Sequence, residues 1–219
     1  MNKTSLAASA MLCLALAACD DNGNDSDASN AQSSSAPSVS VADLSPGTYA
    51  VVMGEESAPV LGQYYSAADG SRTLIVDDAN ALATAIYRRT TDGKWSRTPA
   101  ASSDTSVSFL RSSAVANKTM ELAALAGSYV ASVDGKAAAF ALTADGRIAA
   151  IGTGACRIGG TIGTEVVQGA RKLSLSTSGC ALPASLDGLI IGDADYAPAV
   201  LRLVLDDGSK LSELWAYAE

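Results

Sequence analysis

Apolar and polar positions alternate along most of this chain after Gly47. Leu173 and Leu175 alternate with Lys172, Ser174 and Ser176; Val107 and Phe109 alternate with Ser106 and Ser108; Leu201, Leu203 and Leu205 recur at every second position around Arg202. A period of two puts such residues on one face of a half-buried strand. Leu211 to Tyr217 closes the chain as a last strand. Between these runs Asp-Gly pairs recur at 69–70, 92–93, 134–135, 145–146, 187–188 and 207–208. Asp-Gly tolerates the positive φ angles of tight turns, so each pair reads as a hairpin between antiparallel strands. The expected fold is all-β, with antiparallel β-barrel or sandwich units joined by hairpins and a disordered N-terminal tether.

Two stretches depart from this rhythm. Asp78–Arg89 is rich enough in Ala for a short helix, yet Leu82, Thr84 and Ile86 share one face at period two, and a strand is expected. Asn117–Leu125 reads as a short helix or a linker. The chain restarts after it, because Gly47-Thr48-Tyr49-Ala50-Val51 and Gly127-Ser128-Tyr129-Val130-Ala131 both run Gly, hydroxyl, Tyr, apolar. Two β units are therefore expected, over residues 45–115 and 126–219. The second offers seven or eight candidate strands, enough for a closed antiparallel barrel.

The first residues follow a different pattern. Lys3 precedes an apolar run from Leu6 to Leu16, far shorter than the ~20 residues of a membrane-spanning helix. Small residues then lead into Leu16-Ala17-Ala18-Cys19-Asp20. This segment resembles the lipobox of bacterial lipoproteins. The resemblance implies a signal peptide over residues 1–18, cleavage between Ala18 and Cys19, and acyl chains on Cys19 that hold the chain to a membrane of the cell envelope, facing the periplasm. Asp20 directly after the cysteine resembles the signal that retains lipoproteins in the inner membrane of enteric bacteria, which favours that membrane over the outer one. Residues 19–44 read as the lipidated cysteine followed by a flexible polar tether, since an Asp/Asn/Ser run and a Ser/Ala run cannot bury enough surface to order themselves. Within it, 21–27 has the oxygen density of a calcium loop but neither the distal Glu nor flanking helices, so no metal is expected.

Composition narrows the chemistry. Fifteen Lys and Arg stand against 23 Asp and Glu, and no basic stripe is present for nucleic acid. Histidine is absent. That removes Ser-His and Cys-His dyads, the HExxH zinc motif and the side chain best suited to proton transfer at neutral pH. Two Trp and two Phe leave no evident aromatic platform for sugars, and no cofactor is expected. Of the four cysteines, Cys13 lies in the apolar leader and Cys19 is the lipid site. Cys156 and Cys180 remain as an even pair in an oxidising compartment, which favours a disulfide. A redox or metal pair would need CxxC spacing or a histidine helper.

The second half adds Gly127-Ser128-Tyr129, Asp134-Gly135, Phe140-Ala141-Leu142-Thr143-Ala144-Asp145-Gly146, Gly154-Ala155-Cys156-Arg157-Ile158-Gly159-Gly160 and Gly179-Cys180-Ala181-Leu182-Pro183. Together with the lipobox and tether, these residues resemble a group of uncharacterised proteobacterial lipoproteins. The resemblance implies a barrel or sandwich with Cys156 bonded to Cys180, and it implies no activity.

The leading functional expectation is a membrane-tethered, non-catalytic module that interacts with another envelope protein. The alternative is a lipocalin-like carrier of a small ligand. An enzyme would have to rely on Asp193 and Asp195, which alternation would place on one strand face where two carboxylates can share a proton or hold a metal. Their setting in a Gly-Asp-Ala-Asp segment before Pro198 reads more readily as a solvated loop. The oligomeric state is left open.

Overall fold

Leu74-Ile75-Val76, Ala85-Ile86-Tyr87, Leu189-Ile190-Ile191 and Leu203-Val204-Leu205 have no polar face. Strands of this kind need a cover on both sides, and the architecture supplies it. In the computed structural model, which describes residues 36–116, 119–192 and 197–219, a six-stranded antiparallel sheet lies against the outer wall of a closed eight-stranded barrel.

The sheet is built from β2 (Gly47–Glu55), β3 (Ala58–Ser66), β4 (Arg72–Asp77), β5 (Ala83–Arg89), β6 (Trp95–Thr98) and β8 (Phe109–Ala114), in the order β6-β5-β4-β3-β2-β8. One face buries Val51, Met53, Tyr64, Leu74 and Tyr87 beneath a parallel pair of short strands, β1 (Val39–Val41) and β7 (Thr105–Val107). The other presents Tyr65, Ile75 and Ile86 to Ala170, Leu189, Ile191 and Val204 of the barrel. At about 25 cal/mol per Å² of buried apolar surface, this shared layer binds the two β units together, and residues 36–219 form one compact unit.

The barrel comprises β9 (Gly127–Val133), β10 (Lys136–Leu142), β11 (Arg147–Ala150), β12 (Arg157–Val167), β13 (Ala170–Ser178), β14 (Ser185–Ile191), β15 (Leu201–Asp206) and β16 (Leu211–Ala218). Each pairs antiparallel with the next, and β16 returns to β9 through Ala216↔Ala131. Side chains from all eight strands fill its interior, among them Phe140, Ile148, Ile158, Leu173, Leu186 and Leu203. Tyr129 stacks on Phe140 with ring centroids 5.7 Å apart and donates a hydrogen bond to the carbonyl of Leu125 at 2.7 Å. Leu125 belongs to the single turn of helix α1 (Leu122–Leu125), which packs with Met120 on the barrel core. Outward positions of β13 (Lys172, Ser174, Ser176) are polar and exposed, the reverse of a lipid-facing band. No helix among the described residues is long and apolar enough to cross a membrane.

Five of the six Asp-Gly pairs sit at strand-to-strand turns, as the alternation requires. At Asp134-Gly135 both residues have positive φ, 49° and 71°, the backbone of a two-residue hairpin. Asp187-Gly188 is the exception, because it lies inside β14, paired on both sides with β13 and β15. A Cβ on Gly188 would collide with the Val204 carbonyl, so this glycine serves close approach of two backbones and makes no turn. The stretch 78–89 divides into a turn, where Asp78 Oδ1 accepts from the amides of Asn80 and Leu82 at 2.8 and 2.9 Å, and strand β5. The tether reading over 19–44 extends too far. Val39, Val41 and Leu44 pack on the sheet, and that burial orders a segment whose composition alone looks solvated.

Cys156 and Cys180 form a disulfide across 24 positions, joining the start of β12 to the loop after β13 at the barrel end opposite α1. Closing a loop of that length removes unfolded-state entropy worth about 3 kcal/mol. The Cys156→Ser, Cys180→Ser double variant is expected to lose about that much stability in urea unfolding under oxidising conditions, and to match the wild-type protein once reductant is added.

Candidate functional site

A charged residue in a strand buried on both faces must be neutralised locally, since an unpaired buried charge costs several kcal/mol. Arg202 stands in that position on β15, its side chain 1% exposed. Its Nη2 donates to Asp77 Oδ1 of β4 and its Nε to Glu213 Oε1 of β16, both at 2.6 Å. The guanidinium lies 5.2 Å from the Trp215 ring centroid. Glu213 completes the link by accepting the Ala83 amide through its other oxygen at 2.6 Å. Burial pushes the Asp77 carboxyl above its ordinary range, and Arg202 offsets part of that rise.

A second bridge crosses the same seam. Arg88 of β5 pairs with the buried Asp206 at the end of β15 and donates to the Asp187 carbonyl of β14 at 3.3 Å. A third cluster fixes the outer layer. Asp43 accepts Arg72 Nε at 2.8 Å, Arg89 Nη2 at 3.0 Å and Tyr64 Oη at 3.2 Å. Burial acts to raise the Asp43 carboxyl, but the hydrogen bonds and charges of both arginines outweigh it and hold the group below its usual range. Tyr64 is pushed up to about 12 by burial and by the neighbouring Asp43 charge.

Where the flat sheet and the curved barrel wall diverge, they leave a groove. Adjoining cavities of about 440, 220 and 310 Å³ share Val166 in their walls. The largest lies between Thr73 and Arg88 of the sheet and Lys172, Ser174 and Asp187 of the barrel, with Leu173 and Leu189 also in its lining. Ser174 Oγ donates to Asp187 Oδ1 at 2.5 Å. At the rim, Asp69 accepts the Ser71 amide and hydroxyl at 2.8 and 2.6 Å; these bonds lower its carboxyl, and the nearby Lys172 charge adds to the effect. Such a set can orient a polar ligand through hydrogen bonds and charge. Its volume is that of a small-molecule or peptide-segment site.

Of the residues singled out by sequence, Cys156 and Cys180 are brought together in the disulfide. Ala18, Cys19, Asp193 and Asp195 lie outside the described residues. Sequence reasoning passed over Arg88, Lys172 and Arg202. Arg202 carried a signal, since Leu201-Arg202-Leu203-Val204-Leu205 offers no polar face on which a solvated arginine could sit. Lys172 and Arg88 carried none, because each occupies an ordinary outward position of a strand.

Arg202→Met should cost about 3–5 kcal/mol, because Asp77 and Glu213 would be left buried without their cation; urea unfolding of the variant measures it. The Asp43 pKa is depressed in the folded state, so its contribution is present above the unfolded carboxyl value, about 3.9, and is lost as pH falls through the folded value. Asp43→Asn is therefore expected to destabilise at pH 7 by about 1 kcal/mol, given the half-exposed carboxylate, and the difference from wild type should shrink progressively in unfolding curves as pH falls below the unfolded carboxyl value. No protein-family model, no curated protein and no solved structure matches this chain, so its role has to be read from its residues and their geometry.

Proposed function

We propose that this protein is a non-catalytic envelope lipoprotein, cleaved before Cys19, acylated on Cys19, and holding its β-domain at the membrane surface to engage another envelope protein. The observation that carries the reading is the cysteine itself, placed after small residues at the end of an apolar run too short to span a bilayer. Acyl chains contribute about 0.8 kcal/mol per buried methylene, so multiple chains make a lasting anchor. The folded unit starts at Ala36. Residues 20–35 would then link the lipidated cysteine to that unit. The Cys156–Cys180 disulfide suits an oxidising compartment outside the cytoplasm.

An interaction role agrees with where the polar chemistry lies. The sheet and barrel are locked by an apolar layer and by Arg202 and Arg88, and the groove between them is a concave surface on a preorganised body. A lipocalin-like carrier shares the eight-stranded barrel, but it needs an open interior, and here inward side chains from every strand pack together. Acid–base catalysis would have to proceed in a chain without histidine.

Expressed in a Gram-negative host, the protein should fractionate with membranes, and mass spectrometry of its N-terminal peptide should find acylated Cys19 as the first residue. Cys19→Ala should abolish both. Recovery of an intact residue 1, or membrane retention of a processed Cys19→Ala chain, would refute the anchor. Cross-linking in living cells should then yield one stoichiometric envelope partner, and its absence would count against the interaction role.

A further inference from the structure

The groove's charges are unevenly satisfied. Arg88 is matched by Asp206 and the Asp187 carbonyl, Asp187 by Ser174, Asp69 by Ser71, and Glu165 by the Met120 amide at 3.0 Å. Lys172 forms no hydrogen bond or salt bridge among the described residues, and Asp69 is the acid its charge reaches. It projects from β13 at the junction of the two cavities that share Asp69, Ser71, Val166 and Lys172. Gly163 lies close against the lysine stem, where an added Cβ would stand 3.3 Å from Lys172 Cβ.

We propose that the seam groove is a binding site for an oxyanion-bearing ligand, with Lys172 as the anchoring cation and the apolar lining at Val166 and Leu189 receiving the uncharged remainder. The physical reasons are three. Lys172 is exposed but lines both cavities, and a cation on a concave surface draws an anion more strongly than the same lysine on a convex one. The neighbouring carboxylates Asp69, Asp187 and Glu165 take their hydrogen bonds from Ser71, Ser174 and the Met120 amide, which leaves the Lys172 ammonium donors for a ligand. A ligand of roughly dipeptide size or somewhat larger matches the largest cavity, about 440 Å³. The oxyanion is the carboxylate of an acidic peptide segment or a phosphate group, which share the chemistry that Lys172 recognises. The inference concerns the folded unit and holds whether or not Cys19 carries lipid.

The test is lysine footprinting on the purified full chain in detergent. A limiting amount of acylating reagent is applied with octaglutamate, inorganic phosphate or octalysine, and each lysine is read by mass spectrometry. Lys94, Lys136 and Lys210, all exposed, serve as internal references. Acylation of Lys172 should slow about tenfold at probe concentrations near ten times Kd, with the references and the octalysine control unchanged, and added salt should weaken the protection. Protection by octaglutamate alone assigns a peptide carboxylate, by phosphate alone a phosphate group, and by both an oxyanion irrespective of its source. Lys172→Gln should retain wild-type thermal stability and lose at least 90% of octaglutamate or phosphate binding by titration calorimetry. Unchanged Lys172 reactivity with both anions, equal protection of the reference lysines, or full binding by Lys172→Gln would each overturn the site.

Discussion

The architecture depends on burying both faces of β15. Leu201, Leu203 and Leu205 point into the barrel, while Arg202, Val204 and Asp206 point at the sheet, and all six are buried. A strand in that position cannot meet water on either side. Its polar residues must therefore find partners in the neighbouring layer, and Arg202 finds Asp77 as Asp206 finds Arg88. Ion pairs of this kind add little net stability over well-packed apolar residues. Their consequence here is geometric: a guanidinium held by carboxylates from β4 and β16 permits one register between sheet and barrel, and apolar contact alone would specify that register poorly.

The groove follows from the same constraint. A sheet that twists gradually and a barrel wall that curves around a filled core can touch along only part of their length. They touch where Ile75, Ile86, Leu189 and Val204 meet, and they part toward Lys172 and Val166. The polar set there belongs to both bodies, so its arrangement is as fixed as the seam. This preorganisation gives the domain a defined surface at little entropic cost on binding.

The outer layer shows how a short polar segment becomes structure. β1 is three residues long and would not persist alone. It holds because Val39 and Val41 cover the sheet and because Asp43 gathers Arg72, Arg89 and Tyr64. The folded body therefore begins earlier in the chain than the polar composition of the segment suggests.

The sequence by itself determined the all-β class, the antiparallel connections and most of the turns. These are local effects, in which a period of two sets the strand face and Asp-Gly sets the positive φ of the hairpin. It also singled out the cysteine pair, because Cys156 and Cys180 are the only cysteines after residue 19. Only the tertiary structure decided that Asp187-Gly188 lies within a strand, that 39–44 is ordered, that the two β units share an apolar layer, and that Arg202 and Asp206 of β15 are buried charges. Each of these turns on what lies across a non-local contact. Alternation reports that a residue leaves its own strand on one side; it does not report whether water or another layer is waiting there.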